Sequence, residues 1–281
     1  MVALLVLSLF GFDFLKVDIA AERSSLGGSG ICYFEDGFTT VENPAGLSLA
    51  EEKVLSTSIV QYLAGSYFGL ICYQNSPYGF AIEYFNSGTM KKTDENGREL
   101  GTFLAQFITG SAGRSFRINE FDFGVGINLI YQRIDNYYSI ASALNSGAIY
   151  QKECYTAGLV IKSLGYEVKS YRDTREQLPL TFGLGFAYHL PRIGIFADIE
   201  KPLTDPFIFS LGLKGRLSEI FNLYAGYNSK LAKIKTNSTI DFISGLSAGV
   251  GIRTKRYQIT YGITPHADLG LTNRISFGLV L

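Results

Sequence analysis

Apolar residues alternate with small or polar residues along most of the chain, and this two-residue period restricts its fold more than any other feature. In the segment FIFSLGLKG, which begins at Phe207, every second residue is large and apolar, and the residues between them include Ser, Gly and Lys. The segments FDFGVGINLIYQ and RISFGLVL repeat the arrangement. Because successive side chains of a strand point to opposite faces, the pattern predicts β-strands with one apolar face and one small or polar face.

The length of these strands favours a membrane environment. The alternating segments run for about 9 to 12 residues, whereas strands of soluble proteins average about 5 to 6. An apolar outer face and a small, polar inner face suit lipid on one side and a lumen on the other. A sheet in lipid must close, since an open edge would leave backbone groups without partners. We therefore expect an all-β fold, a transmembrane antiparallel β-barrel; a soluble β-sandwich is the alternative.

The alternation predicts about fourteen strands, an even number that suits a bacterial outer-membrane barrel. Three long, charged connections, which contain SGTMKKTDENGREL, GYEVKSYRDTREQ and KLAKIKTNST, follow the third, seventh and eleventh strands and are expected outside the cell. Short connections such as LPR and TKR are expected at the periplasmic end. The predicted strands are 54–64, 66–75, 77–86, 102–113, 120–134, 138–149, 153–164, 180–189, 193–200, 206–215, 221–229, 241–253, 255–264 and 272–281.

The N-terminal part of the chain does not follow this alternation. Its first stretch, VALLVLSLFGF, has the length of a signal-peptide hydrophobic region, although a positively charged start and an A-x-A-like cleavage site are missing. We predict a signal peptide over 1–12, incomplete at its start; a buried strand is the alternative. Residues 13–53, which contain the turn-rich stretch VENPAGLSLAEEK, are predicted to form a separate N-terminal segment, and residues 54–281 the barrel.

The composition argues against several function classes. Equal numbers of acidic and basic residues, with the basic ones scattered, provide no basic surface for nucleic acid. The three cysteines, Cys32, Cys72 and Cys154, are too few and too widely spaced for a disulfide framework; one disulfide is one alternative, and buried free thiols are favoured. No apolar run is long enough for a transmembrane helix.

The residues that could carry catalysis form no recognisable constellation. His189 and His266 lack metal-ligand spacing and are expected in exposed loops. Asp198 and Glu200 share one face of a strand, which places them on a polar lumen wall more readily than in a catalytic acid pair. We therefore predict that the protein is not an enzyme and that it uses no cofactor or metal.

Several motifs, taken in order, resemble those of a known family. They are DFLKVDIAAERSSLGGSG, FEDGFTTVENPAGLS, LPLTFGLGFAY, EIFNLYAGYN, DFISGLSAGVGI and the closing YGITPHADLGLTNRISFGL. Their order and spacing resemble the PorV/PorQ-like outer-membrane proteins, which are part of the FadL-type barrel superfamily. Glu42 departs from that pattern, because it stands where the family usually has an aromatic residue.

The resemblance implies a fourteen-stranded barrel in the bacterial outer membrane, with the N-terminal segment as a hatch inside the lumen. Asn43, Pro44, Ala45, Gly46 and Leu47 match the family's turn motif, and the resemblance assigns them a hatch role. The sequence itself agrees, because a turn rich in Pro and Gly cannot join a central strand ladder but can lie within a lumen. A plain periplasmic turn before the first strand is the alternative.

Two functions are compatible with this resemblance. The first is a PorV-like role in protein export or surface delivery, in which the partners would be a type IX secretion translocon or an exported protein, besides outer-membrane lipid. The alternative is a FadL-like transporter of hydrophobic small molecules. A transporter needs an apolar pocket that leads from outside to the hatch. Many predicted inward positions are Gly, Ser, Asn or charged, which disfavours a fully apolar channel.

Overall fold

Fourteen strands form a closed antiparallel barrel in a computed structural model of the chain, which describes residues 11–93, 98–171, 175–233, 243–266 and 270–281. The predicted fold class is therefore confirmed. Two further short strands pair only with each other, outside the barrel. In chain order the strands are β1 Val54–Gln61, β2 Tyr67–Asn75, β3 Tyr78–Asn86, β4 Met90–Thr93, β5 Glu99–Phe103, β6 Ala105–Ile118, β7 Phe121–Ile134, β8 Tyr137–Lys152, β9 Tyr155–Lys169, β10 Thr181–His189, β11 Ile193–Pro202, β12 Ile208–Arg216, β13 Phe221–Asn228, β14 Leu246–Arg253, β15 Tyr257–Pro265 and β16 Leu271–Val280.

Each barrel strand pairs with its neighbours along the chain, and β1 pairs with β16 to close the ring. The small hairpin β4–β5 lies in the connection between β3 and β6. The sequence did not predict this hairpin, because its short, charged strands carry no sustained alternation. Lys91 and Glu99 form an ion pair across it on the surface.

The two faces of the barrel differ as the alternation predicts. On β12, Leu211 faces outward and is 55% exposed, whereas Ser210 faces inward and is 3% exposed. Large apolar side chains cover the outer surface on the other barrel strands as well. None of the described helices is long and apolar enough to cross a membrane.

The ends of the barrel are distinguished by their connections. The long connections 87–104, 170–180 and 229–245 follow the third, seventh and eleventh barrel strands, and so share one end. At the other end, Leu281 N donates a hydrogen bond to Lys53 O, which joins the two ends of the barrel-forming chain. We refer to the first end as the outer end, since long loops face outside in such barrels.

Strand boundaries differ from the predicted ones at several places. β6 continues to Ile118 and β9 to Lys169, each five residues beyond its predicted end. β1 ends early, at Gln61, because a 3-10 turn at Leu63–Gly65 follows, in which Ala64 has a positive φ of 56°. Local turn geometry of this kind has no signature in an alternating pattern.

The chain before β1, here called the N-terminal segment (residues 11–53), has short helical turns instead of strands. Its residues contact inward-facing positions on most of the barrel strands. The predicted signal peptide falls mainly on residues 1–10, which lie outside the described residues, while Phe12 is buried in an apolar cluster. The helices and 3-10 turns are Asp13–Lys16, Ala21–Ser25, Thr39–Glu42, Pro44–Leu49, Leu63–Gly65 and Leu231–Lys233.

Candidate functional site

The motif from Asn43 to Leu47 forms a 3-10 turn that is fully buried inside the barrel. Asn43 stabilises the start of this turn, because its Oδ1 accepts a hydrogen bond of 3.2 Å from Ala45 N. Its Nδ2 donates to Ile31 O at 3.1 Å, which ties the turn to an earlier part of the N-terminal segment. Pro44 occupies the first position of the turn, where its missing N–H costs no hydrogen bond.

Glycines of the barrel wall allow this close approach. A Cβ added to Gly124 would overlap the backbone between Pro44 and Ala45, and one added to Gly147 would overlap the Asn43 side chain. A Cβ at Gly46 would instead meet Phe34 and Thr39 of the N-terminal segment itself.

Arg23 is the centre of the polar interior of the N-terminal segment. Its guanidinium makes two hydrogen bonds to the Asp36 carboxylate, Nε to Oδ2 at 2.6 Å and Nη2 to Oδ1 at 2.9 Å. It also donates to the carbonyls of Gly30 and Tyr33, at 3.3 and 3.1 Å. Burial alone would lower the pKa of Arg23, but Asp36 outweighs it and raises the pKa, so the group stays charged.

Glu22, next to Arg23, connects this interior to the barrel wall. Its carboxylate accepts hydrogen bonds from Tyr33 Oη at 2.8 Å and from Thr260 Oγ1 of β15 at 2.6 Å, and also from Gln258. Burial, and then the neighbouring charge of Asp36, raise the pKa of Glu22. We call Glu22, Arg23 and Asp36 with these partners the Arg23 network.

Asp198 of β11 provides a second attachment. Its Oδ2 accepts hydrogen bonds from the backbone N–H groups of Gly30 and Ile31, at 2.8 and 3.0 Å. The predicted position of Asp198 and Glu200 on the lumen wall is thus confirmed, but the two carboxylates have separate partners. Asp198 holds the N-terminal segment, and Glu200 Oε1 lies 2.7 Å from Lys162 Nζ.

A cavity of about 460 Å³ lies inside the barrel beside the N-terminal segment. Among its lining residues, Thr181, Pro202 and Asn228 stand at the outer ends of their strands. The luminal cavity therefore extends toward the outer end of the barrel. Its lining includes polar residues of β3, β6, β7, β9, β11 and β16 and apolar residues of the N-terminal segment, among them Leu15, Val17, Val41, Glu83, Thr109, Ser111, Asn128, Lys162, Glu200 and Arg274.

Most interior charges of this cavity have partners. Lys162 Nζ lies 3.2 Å from Glu42 Oε2, in addition to its contact with Glu200. Burial would raise the pKa of Glu42, but Lys162 and Arg23 hold it below its usual value. Burial, followed by the charges of Glu42 and Glu200, raises the pKa of Asp18 to about 6.

Other polar groups of the cavity lining have no hydrogen-bond partner. Glu83 Oε1, Thr109 Oγ1 and His266 Nε2 are all unpaired, although these residues are only 7%, 3% and 4% exposed. The expectation that His266 lies exposed in a loop is wrong for this residue. Burial, and then the charge of Arg274, lower the pKa of His266 to about 4, so its imidazole is neutral.

Comparisons with solved structures find the same barrel fold in proteins that are described as channels. The structure is similar to the CymD monoaromatic hydrocarbon channel, with a TM-score of 0.63 and 10% identity over 94% of this chain and 98% of that one. It is similar also to a deltaS2 mutant of the TodX monoaromatic hydrocarbon channel, with a TM-score of 0.59 and 12% identity over 94% and 98% of the two chains. The Acinetobacter baumannii outer membrane protein Omp33 matches with a TM-score of 0.49 and 7% identity over 82% and 98%.

The chain is a bacterial outer-membrane β-barrel. No protein-family model matches its sequence. No curated protein matches it either. At such low identity, the structural neighbours establish the fold, and they leave the PorV/PorQ-like membership a hypothesis drawn from the sequence motifs.

No cluster of metal-ligating side chains occurs in the described part of this barrel. No group of three or more His, Cys, Asp or Glu residues among the described positions could hold a metal ion. Cys32, Cys72 and Cys154 are free thiols, as favoured by the sequence, and the first two are buried. Burial raises the pKa of Cys32, which keeps this thiol protonated and unreactive.

Sequence reasoning missed Glu22, Arg23, Glu83 and Lys162. Glu83 and Lys162 each occupy an inward position of an alternating strand, and this parity could have identified them as luminal charges. Glu22 and Arg23 lie in a non-alternating segment, and their pairing depends on how that segment crosses the lumen. No local pattern in the sequence contains this information.

Proposed function

We propose that the protein is a FadL-like outer-membrane transporter of small molecules. The observation that carries this proposal is the luminal cavity of about 460 Å³, which lies within a closed barrel toward its outer end. Its volume is in the range of small-molecule binding sites. A substrate from outside would occupy this cavity before it passes the N-terminal segment.

The N-terminal segment is proposed to act as the hatch of this transporter. The turn Asn43–Leu47 packs against β6, β7 and β8, and the helix Ala21–Ser25 packs against β13 to β16 on the other side of the barrel. The segment therefore has contacts on opposite walls of the lumen. Displacement or rearrangement of this segment would then open a path to the periplasm.

The lining of the cavity favours an amphipathic substrate. Leu15, Val17 and Val41 provide apolar surface, whereas Lys162 and Glu200 provide charge. CymD and TodX are described as monoaromatic hydrocarbon channels. A pure hydrocarbon would leave the unpaired oxygens of Glu83 and Thr109 on the cavity wall without a partner, so we propose a substrate of similar size that also carries a polar group.

Single-channel conductance in planar bilayers tests the hatch. Removal of residues 13–48 should raise the conductance well above that of the intact barrel, because the strand ladder closes through β1 and β16 without this segment. Replacement of the outer hairpin 90–103 by a short linker is the matched control and should leave the conductance nearly unchanged. A truncated barrel that is still heat-modifiable on gels, yet conducts no better than the intact protein, would contradict the hatch role.

Export assistance of the PorV type is the second function that the sequence motifs raise. The structural neighbours support the transporter in preference to it, because they are channels. The two functions differ in what is lost when the protein is absent from the cell. Loss of a transporter reduces small-molecule uptake and leaves the surface proteins unchanged, whereas loss of an export partner changes the surface proteins.

A further inference from the structure

We propose that the luminal cavity binds a small amphipathic molecule through an ammonium group placed against Glu83. This inference deepens the proposed transport function by naming the substrate class, and it rests on that function for its biological meaning. The binding site is defined by Glu83 of β3, Thr109 and Ser111 of β6, and Asn128 of β7, which we call the Glu83 wall. The strand register places Thr109 opposite Glu83, and Asn128 opposite Ser111.

Glu83 is an unusual residue for the inside of this wall. It interrupts the segment FAIEYFN, where the other inward positions are occupied by Ala81 and Phe85. Its Oε1 has no hydrogen-bond partner, and neither has Oγ1 of Thr109 beside it. Burial of an unpaired polar group costs free energy, so two such groups in adjacent register positions on a cavity wall indicate a missing partner.

The charges around the cavity show which kind of partner is missing. Lys162 is already paired with Glu42 and Glu200, and Lys16 lies near Asp13 and Asp205. Among the described residues, none of the basic side chains lies within ion-pair distance of Glu83. The unmet requirement at this wall is therefore for positive charge and hydrogen-bond donors.

An ammonium group meets both requirements. It carries three donors and no acceptor, so one N–H can reach the Glu83 carboxylate while the others reach the Thr109 hydroxyl or the Asn128 carbonyl. A carboxylate in the same place would be repelled by Glu83, and an alcohol would provide only one donor. The apolar part of the ligand would contact Leu15 and Val17, which line the same cavity.

Binding of three probes with the same phenethyl body tests the substrate class. The probes are phenethylammonium, phenethyl alcohol and hydrocinnamate, and binding to the full-length protein in detergent is measured by calorimetry at mildly alkaline pH, where a buried carboxyl group ionises more readily. We expect the ammonium to bind about tenfold more tightly than the alcohol, because a charge-assisted hydrogen bond replaces a neutral one. Equal affinity for the three probes, or tighter binding of hydrocinnamate, would overturn the proposal.

Variants locate the site. Glu83→Gln keeps the shape of the side chain and removes its charge, and it should abolish the preference for the ammonium. Glu120→Gln, at the exposed turn between β6 and β7, is the matched control and should keep it. If the Glu83→Gln protein is still heat-modifiable, and so folded, but still prefers the ammonium probe, the ammonium binds elsewhere. If this variant does not fold, the probe series on the unaltered protein still decides the substrate class.

Flux measurements separate this inference from the transport function. Uptake of the three probes into liposomes is compared with their binding. Ammonium-selective binding without flux would support the site and contradict transport. Flux of all three probes with no selectivity in binding would support transport and contradict the ammonium site.

Discussion

Two polar regions inside the barrel differ in how completely their hydrogen bonds are satisfied. In the Arg23 network, the guanidinium has two carboxylate contacts and two carbonyl contacts, and Glu22 accepts from several donors of the segment and the wall. In the Glu83 wall, Glu83 Oε1 and Thr109 Oγ1 have no partner at all. Both regions are buried, so exposure to solvent does not explain the difference.

The difference indicates two separate roles for polar groups in one lumen. A buried network with its partners in place holds one arrangement of the chain and resists any other. Buried groups without partners contribute nothing to that arrangement and impose a free-energy cost. We infer that the Arg23 network positions the N-terminal segment, and that the Glu83 wall is shaped for a ligand.

The largest expected effect comes from breaking the Arg23 network. Arg23→Ala leaves Asp36 as a buried carboxylate without its partner, which should cost about 3–5 kcal/mol of the free energy that keeps the N-terminal segment in place. Amide hydrogen exchange across residues 19–47 measures this local opening. The barrel strands should keep their protection, because their ladder does not depend on Arg23.

The control for this variant is Lys91→Ala, which removes an exposed ion pair with Glu99 in the outer hairpin. An exposed pair contributes about 0–1 kcal/mol, so exchange in the N-terminal segment should not change. Equal exchange in the Arg23→Ala and Lys91→Ala proteins would show that the Arg23 network does not position the segment.

A smaller effect is expected where the wall meets the Asn43–Leu47 turn. A Cβ at Gly124 would overlap the backbone of this turn, whereas one at Gly126, on the same face of β7, would meet its neighbours at ordinary distances of 3.5 Å or more. Gly124→Ala should therefore destabilise the seated turn by about 1–3 kcal/mol, as overpacking does, and Gly126→Ala should not.

Conductance in planar bilayers distinguishes the two glycine variants. If the N-terminal segment is a hatch, Gly124→Ala should open more often than the unaltered protein, because its Asn43–Leu47 turn is displaced, and Gly126→Ala should match the unaltered protein. If both variants behave alike, the close packing at Gly124 has no part in keeping the lumen closed.

The barrel was predictable from the sequence because its physical cause is local. Each outward residue, such as Leu211 or Ile275, must face lipid, and this requirement repeats with a period of two along each strand. All fourteen predicted barrel strands occur in the structure, with different ends. The ends depend on turns such as the one at Ala64, whose positive φ the alternation does not reveal.

The candidate site was not predictable in the same way, because its character depends on partners far apart in the chain. Glu83 and Asp122 are both acidic residues at inward positions of predicted strands. Asp122 receives two hydrogen bonds from Arg117, at 2.7 and 2.8 Å, whereas Glu83 Oε1 receives none. The partner of Asp122, Arg117, lies only five residues away in sequence. Whether Glu83 has a partner depends instead on β6, β7 and the N-terminal segment, which are distant from it in sequence.

The smallest expected effect compares one hydroxyl group in each role. Ser58 of β1 donates a hydrogen bond of 2.8 Å to Ile19 O of the N-terminal segment, so Ser58→Ala leaves a buried carbonyl without this donor. It should lower the free energy of unfolding by about 1 kcal/mol.

Thr109→Val removes a buried hydroxyl that has no partner, and the valine has nearly the same shape. Since only the cost of burying that hydroxyl is lost, the free energy of unfolding should stay the same or rise slightly. Urea unfolding of both variants in the same detergent measures the difference, and Thr109→Val should be the more stable of the two. A Thr109→Val protein that is destabilised as much as Ser58→Ala would mean that the Thr109 hydroxyl already has a structural partner, and the Glu83 wall would then lose half of the evidence that marks it as a ligand site.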